Sequence, residues 1–476
     1  MSILRRRFTI NYLSILAGPI SFALSIFLLK DTFNSDGAVA IGAIFWIGLW
    51  WIFRPVHIAV TALIPIAINA MFNVVPMDAI ISQYFSEIII LLFGADLICL
   101  TWTTTGLDKR VAIKALCLIG VSMRQQIAMW LFASAILSAF LPNVVVVTIL
   151  IPVAISMLKF IGDEDIEKSE LAVPILLAIT WGAGVGGFAS PIGGAANLVA
   201  INYIENFTGQ EFMYIDWVIR FAPFLLIILL LNMFYLFSIK LSVDRIEGST
   251  EYFHSMYKKM GAMKKGEKIS LTLFLIATAL AFFRPLYSDI LPGMKPAYVF
   301  LVIGLITFLV KDEKGHVLLT WQKVEAEMMW GMLFLFAGGL ALGKLVTETG
   351  AAIRLAEIVS GYNLTGGFGL IFLFVIFNSL LSEISSNTAA AAISVPVIMS
   401  ITLSLGLNFI PYLLISIVAF NSAYILPVSI RAIPVGFGLD PGQLLRHGSR
   451  LAAFSILTIS IFGFIFMKIW PLFSTL

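Results

Sequence analysis

The sequence has little charge: 12% of its 476 residues are Asp, Glu, Lys or Arg, whereas about 25% is usual for a soluble domain. Hydrophobic residues make up 60% of the chain, and many lie in runs of ~18 residues or more, which can cross a membrane as helices. The scarcity of charge excludes a soluble fold, and the runs predict a helical bundle instead of a barrel. The net charge of +3 is spread over loops, so we expect no nucleic-acid partner.

Residues for disulfide, metal or nucleotide chemistry are also scarce. Cys99 and Cys117 lie in apolar surroundings and predict free thiols, and the four histidines show no metal-ligand spacing. The glycines within 182–187 lack the strand and turn of a nucleotide loop, and no Walker sequence is present. We therefore expect no cofactor, no ATP-driven mechanism and no enzyme, since the spans contain too few titratable residues to assemble a catalytic site.

Hydrophobic runs predict about eleven membrane spans, and the positive residues predict their orientation. The spans lie near 10–29, 38–53, 56–75, 87–104, 171–189, 218–239, 269–284, 296–310, 329–346, 411–427 and 451–470. Arg5 to Arg7, Arg54, the basic residues within 109–124 and the loop 240–268 fall on one side, which the positive-inside rule identifies as the cytoplasm. We expect a multi-pass inner-membrane protein with a cytoplasmic N-terminus and an external C-terminus.

Two apolar stretches, 125–158 and 367–405, are too long for one span and are broken near the middle. Pro142-Asn143 interrupts the first stretch, and Ser386-Asn387-Thr388 interrupts the second. Each stretch predicts a re-entrant hairpin, in which a helix, a short turn and a second helix return to the same side. Irregular backbone at membrane depth is tolerated where it is shielded by protein or lines a cavity, so the two tips are candidate binding sites.

A constant offset of 244 residues relates the two halves of the chain. The paired residues are Leu91/Leu335, Gly94/Gly338, Thr103/Thr347, Thr105-Gly106/Thr349-Gly350, Arg110/Arg354, Leu137-Ser138/Leu381-Ser382, Asn143/Asn387 and Pro152/Pro396. Five predicted crossings separate the copies, and this odd number inverts the second copy. Inverted repeats with broken helices are typical of secondary transporters, which bind substrate near the midplane at the repeat interface.

Each half also contains a broken span after its hairpin, at 171–197 and 411–431. The helix N-termini that follow the two tips offer unpaired N–H groups and a partial positive charge, which suit a carboxylate. The candidate substrate-binding residues are Asn143, Val144, Gly193, Gly194, Asn197, Ser386, Asn387, Thr388, Pro427, Ser429 and Arg431.

Arg431 is included because a charge beside an intramembrane break is a functional candidate. The alternative is a cytoplasmic arginine that ends the span. For Glu383, three residues before the second tip, we expect a structural role, in which it caps backbone donors or pairs with a cation. Plain N-capping is the alternative interpretation of Ser386-Asn387-Thr388.

The chain resembles the divalent anion/sodium symporter family of di- and tricarboxylate transporters. The resemblance extends from about Leu91 to the C-terminus and depends on Ser386-Asn387-Thr388 with Pro396 beyond it, on 190–197 and on Pro427-Val428. It implies a homodimer in which a scaffold domain holds the dimer and a transport domain moves like an elevator. By this analogy, 1–124 and 269–357 form the scaffold, and 125–268 and 358–476 form the transport domain.

The sequence departs from this family where sodium would bind. The family repeats Ser-Asn-Thr at both tips, whereas the first tip here is Pro142-Asn143-Val144, and 430–433 replaces a Thr-Pro-Pro-Asn run. Because a hard cation wants several oxygen ligands, we expect weak sodium binding. A fixed Arg431 would then neutralise the substrate, which predicts sodium-independent exchange of dicarboxylates of the malate, succinate and α-ketoglutarate type.

Other functions stay open. The nearest is a sodium-coupled dicarboxylate symporter that holds the cation at Ser386, Asn387 and Thr388. Carriers of sulfate or arsenite and proton/sodium antiporters are more distant alternatives, and an intramembrane enzyme is the most distant.

Overall fold

The computed structural model of the protein describes residues 12–118, 120–241, 243–351, 354, 357–358 and 366–476. These residues are mainly helical, and among them two isolated bridges are the only β-pairing. Seven helices are long and apolar enough to cross a membrane, and five further apolar helices are shorter. The predicted class, an all-α polytopic membrane protein, is confirmed. Arg5 to Arg7, on which the predicted orientation partly depends, lie outside the described residues.

The helix bounds follow in chain order. The helices are α1 (Tyr12–Phe53), α2 (Ile58–Thr61), α3 (Ile64–Phe72), α4 (Met77–Ile81), α5 (Glu87–Thr105), α6 (Leu107–Leu116), α7 (Met123–Ser138), α8 (Asn143–Phe160), α9 (Ala172–Gly186), α10 (Ala195–Thr208), α11 (Tyr214–Phe237), α12 (Ser249–Lys259), α13 (Lys265–Phe282), α14 (Pro296–Ile306), α15 (Trp321–Glu327), α16 (Trp330–Glu348), α17 (Phe368–Ile384), α18 (Asn387–Ser404), α19 (Phe409–Asn421), α20 (Ala432–Gly436) and α21 (Pro441–Ile469).

The chain divides into two compact units. The first unit contains Met1–Ile89, Met329–Gly366 and Thr388–Phe409, and the second contains Ile90–Met328, Gly367–Asn387 and Ile410–Leu476. The division into scaffold and transport parts is a different statement, and it stays a prediction.

In the first unit, the two predicted spans 10–29 and 38–53 are joined in α1, which is kinked at Asn34, where φ is 58°. The predicted span 56–75 is two short helices, α2 and α3. Pro65 stands in the first turn of α3, where a proline costs no hydrogen bond, so the sequence starts a new helix at this point.

The repeat is visible in the helix bounds. The helices α8 and α18 each have 18 residues, and they begin and end at the same offset of 244 that relates the sequences. Gly106 and Gly350 also correspond, with φ values of 80° and 71°. Each hairpin thus has a helix, a short break and a second helix, while its re-entrant course through the membrane stays a prediction.

Both broken spans differ from their predicted bounds. The first ends as a helix at Gly186 and resumes as α10, a helix that the sequence did not predict. The second ends at Asn421 and is followed by a 3-10 turn at Ser429–Arg431. Helix α19 stops early because Glu383 accepts the backbone N–H groups of Tyr424 to Leu426, which a longer helix would have used itself.

Candidate site at the hairpin tips and broken spans

The first tip places a serine, an asparagine and a carbonyl group together. The Ser138 hydroxyl lies 2.8 Å from Asn143 Oδ1 and 2.7 Å from the carbonyl oxygen of Ala183 in α9. A hydroxyl has one proton and can donate to only one of these acceptors. Three oxygen atoms therefore lie close together with one proton among them.

The second tip repeats this arrangement. The Ser382 hydroxyl lies 2.9 Å from Asn387 Oδ1 and 2.7 Å from the carbonyl oxygen of Phe420 in α19. Both serines precede their asparagine by five residues, and both are fully buried. The repeat found in the sequence is therefore also a repeat of polar contacts, and each hairpin is fastened to its own broken span.

A row of three amides connects the second tip with the first broken span. Asn387 Nδ2 donates to Asn421 Oδ1 at 3.2 Å, and Asn421 Nδ2 lies 3.5 Å from Asn197 Oδ1. Asn197 Nδ2 in turn donates to the carbonyl oxygens of Gly187 and Ser190 at 2.8 and 2.9 Å. Elements from both halves of the sequence thus meet in one buried polar network.

Gly187 lies between the two tips and leaves no room for a side chain. A Cβ atom at this position would lie 2.9 and 3.0 Å from the amide nitrogen and oxygen of Asn143, and 3.2 Å from Asn421 Oδ1. At Gly193, a Cβ atom would lie 2.8 Å from the carbonyl oxygens of Gly187 and Ser138. These two glycines allow the tip asparagine and the break to approach each other closely.

Glu383 joins the second hairpin to the second broken span. Its carboxylate accepts hydrogen bonds from the backbone N–H groups of Tyr424, Ile425 and Leu426. The carboxylate thus caps the irregular chain after α19, as the structural interpretation of Glu383 predicted.

Arg431 completes the same junction from the other side. Its guanidinium lies 3.4 Å from the Glu383 carboxylate, and its Nε donates to the carbonyl oxygen of Leu426 at 2.7 Å. Nη2 donates to the carbonyl oxygens of Ser382 and Glu383, both at 3.2 Å, at the C-terminus of α17, where a cation is favoured. The side chain of Arg431 is 2% exposed. Its charge is therefore met inside the protein.

The other buried arginines of the second unit are paired in the same way. Each has a carboxylate oxygen within 4 Å, and the lysines of the described chain are not among its buried residues. The pairs are Arg110–Glu267 at 2.8 Å, Arg220–Asp216 at 3.6 Å and Arg284–Glu211 at 3.2 Å. Within the described residues, the second unit holds no buried cation without a carboxylate partner.

The structure brings some of the predicted site residues together and leaves others apart. Asn143, Gly193, Gly194, Asn197 and Asn387 lie in or against the amide network. The remaining predicted residues are placed as follows: Val144 is 43% exposed, Ser386 is half-buried at the tip, Thr388 is buried and belongs to the first unit, Pro427 is exposed, and Ser429 is half-buried with φ 58°. Among the described residues, Val144, Pro427 and Ser429 make no side-chain hydrogen bond to the network.

Sequence reasoning missed three residues of this network as binding candidates. Ser138 and Ser382 carried a signal, because both belong to the 244-residue repeat. Asn421 carried a weaker one, as an amide at the end of an otherwise apolar helix. A buried amide must be hydrogen bonded, so its presence there indicates polar partners.

The chain matches the family model described as "Citrate transporter" over residues 49–419. It is 28% identical to the sodium-dependent dicarboxylate transporter SdcS of Staphylococcus saprophyticus over 455 residues, which cover 91% of this chain and 86% of that protein. It is 27% identical to the transporter of the same name from Staphylococcus aureus over 444 residues, which cover 90% of this chain and 85% of that protein.

Two solved structures share the fold at low sequence identity. The YdaH transporter of Alcanivorax borkumensis aligns with a TM-score of 0.53 and 15% identity over 82% of this chain and 86% of that one. MtrF of Neisseria gonorrhoeae aligns with a TM-score of 0.53 and 14% identity over 81% and 82%. The predicted membership of the divalent anion/sodium symporters is confirmed, and the chain belongs to the citrate transporter family.

Proposed function

We propose that this protein is a secondary transporter of dicarboxylates of the malate and succinate type, and that sodium is its coupling ion. The observation that carries this proposal is the pairing of every described buried arginine in the second unit with a carboxylate. A dianion that enters this unit meets no spare protein cation. Because a buried charge must be compensated, the positive charge has to arrive with the substrate.

The groups available to the anion are neutral. The N–H groups at the start of α8 and the amides of Asn143, Asn387 and Asn421 can donate to carboxylate oxygens. This differs from the counter-charge that the sequence suggested for Arg431. Sodium-independent exchange stays a prediction, but an uncompensated Arg431, which was its physical basis, is not what surrounds the substrate candidates.

The oxygen clusters at the tips suit sodium. Each cluster combines a serine hydroxyl, an asparagine oxygen and a main-chain carbonyl, the oxygen ligands that hard cations take. At the second tip, Ser386 can add another hydroxyl beside Asn387. The first tip has Pro142 and Val144 on either side of Asn143, so we expect the stronger sodium site at the second tip.

The relatives support the same substrate and ion. Both staphylococcal relatives are named sodium-dependent dicarboxylate transporters, and each match covers at least 90% of this chain. The family model is named for citrate, so citrate belongs in the substrate panel.

Uptake into proteoliposomes tests the proposal. Labelled succinate, malate, α-ketoglutarate and citrate are offered with an inward sodium gradient, an inward potassium gradient or neither, each with and without trapped unlabelled anion. Uptake that needs sodium and no internal anion supports the proposal. Uptake that needs internal anion and ignores sodium would instead support exchange, and failure with every anion would refute dicarboxylate transport.

The mode of movement and assembly belong to the same proposal. We infer an elevator mechanism, a homodimer, an N-terminus in the cytoplasm and an external C-terminus, as the family resemblance and the positive residues imply. Crosslinking in membranes tests the dimer. Thiol labelling of single cysteines in the loops, from one side of the membrane at a time, tests the orientation.

A further inference from the structure

Asp96 is an acid in the middle of a membrane-spanning helix. It is the tenth residue of α5, which has 19 residues from Glu87 to Thr105. At 1.5 Å per residue, about 13 Å of helix separates Asp96 from either end. An acid at this depth is expensive to charge and is therefore a functional candidate.

Asp96 has no partner that explains its presence. It is half-buried, and among the described residues no hydrogen-bond donor or cation contacts its carboxylate. Buried and membrane-embedded acids are normally paired or hydrogen bonded, as Glu383 and Glu267 are here. Asp96 takes no part in the sodium and anion chemistry proposed above.

The face of α5 that carries Asp96 points towards the first tip. Asp96 and Cys99 are one helical turn apart on this face. The thiol of Cys99 lies 3.8 Å from the carbonyl oxygen of Phe140, in the turn between Ser138 and Asn143. Asp96 therefore stands about one turn from the hairpin tip that lacks the hydroxyl groups of a full sodium site.

No charged group stands near enough to neutralise it. The opposite face of α5 packs through Gly94 against Phe300 and Leu301 of α14, which has no charged residue. Trp102 packs on Phe274 of α13, whose charged residues lie in its first turn. In α7 the only charged residue is Arg124, at the end far from the tip, and the thiol of Cys99 is the nearest titratable group.

We propose that Asp96 binds and releases a proton during transport, so that proton movement is coupled to the anion at the first tip. This rests on the proposed dicarboxylate transport and adds a second coupling ion to it. In one orientation the carboxylate takes a proton from water on the outer side and becomes neutral. After the site reorients, the proton returns to water on the inner side, so that one proton crosses in each cycle.

The test measures anion and proton in the same proteoliposomes. Labelled succinate is driven inward by sodium at pH ~8, where succinate is a dianion and carries no proton itself. A trapped fluorescent pH indicator reports the lumen, and valinomycin with potassium clamps the voltage. In the wild type we expect lumenal acidification in proportion to succinate uptake. In Asp96→Asn we expect succinate counterflow to persist and the acidification to fall to that of empty liposomes.

Two further variants make the result specific. Asp96→Glu retains a titratable group, so acidification should return. Glu87→Gln removes an acid from the first turn of the same helix and should acidify like the wild type. Acidification by Asp96→Asn equal to the wild type, or no acidification by the wild type during uptake, would overturn the coupling. Absence of succinate counterflow in the wild type would refute the proposed function as well, and so the two failures are distinguishable.

A second measurement does not depend on a folded variant. Dicyclohexylcarbodiimide reacts with protonated carboxyl groups in apolar surroundings, and mass spectrometry of the wild type locates the modified residue. Labelling of Asp96 should fall as the pH is raised from ~6 to ~9, because the carboxyl group loses its proton. Absence of labelling throughout this range would contradict a protonated Asp96.

Discussion

Removing one member of the buried Glu383–Arg431 pair will destabilise the protein more than removing both. The two side chains are 5% and 2% exposed and lie 3.4 Å apart. Taking away one partner leaves a buried charge without compensation, which typically costs about 3–5 kcal/mol. Glu383→Gln also leaves at least one of three backbone N–H groups without an acceptor, at ~1–3 kcal/mol.

The double variant Glu383→Gln/Arg431→Met removes both charges. It still loses hydrogen bonds at the junction, so we expect it to cost about as much as one single variant and clearly less than the sum. For this chain, a loss of about 3–5 kcal/mol corresponds to a fall in melting temperature of roughly 5–15 °C.

The assay is thermal unfolding of purified protein in detergent, followed by the monodisperse fraction that remains on size exclusion. Scan rate and detergent must be fixed, because membrane proteins of this size often unfold irreversibly. Melting shifts of the single variants that add up in the double variant would show that the pair is not coupled, and would refute the structural role given to Arg431. Normal sodium-dependent transport by the double variant would show in addition that the guanidinium is not a ligand of the substrate.

Three other predictions follow from the site and its surroundings. Gly187→Ala should abolish transport while the protein remains monodisperse, because its Cβ would lie about 3 Å from the tip amides; Gly369→Ala, where a Cβ meets open space, is the matched control, and equal transport by both would contradict the close approach. Ser382→Ala should raise the sodium concentration for half-maximal uptake more than Ser138→Ala does, and the reverse order would place the stronger site at the first tip. Arg110→Met should lower the melting temperature by several degrees, since it leaves a buried carboxylate unpaired at a cost of about 3–5 kcal/mol; no change on thermal unfolding would contradict this.

The sequence alone determined the class of the molecule and the position of its breaks. Low charge and long apolar runs leave few options besides a helical bundle, because backbone polar groups in lipid must be satisfied within the segment. Pro142-Asn143 and the second tip stopped their helices where expected, since these residues act through local backbone geometry. The repeat was also readable, because it is a property of residue order.

Only the tertiary structure decided which groups meet at those breaks. Ser382 contacts a carbonyl group 38 residues away, and Asn421 lies beside an amide 224 residues away, distances along the chain over which sequence patterns specify no contact. Arg431 was predicted to face the substrate, but its charge is met by Glu383, which comes into reach only when the second hairpin packs on the broken span. A residue pattern limits where charge can be placed, whereas folding decides which charges neutralise each other, because pairing depends on distances of a few ångströms in three dimensions.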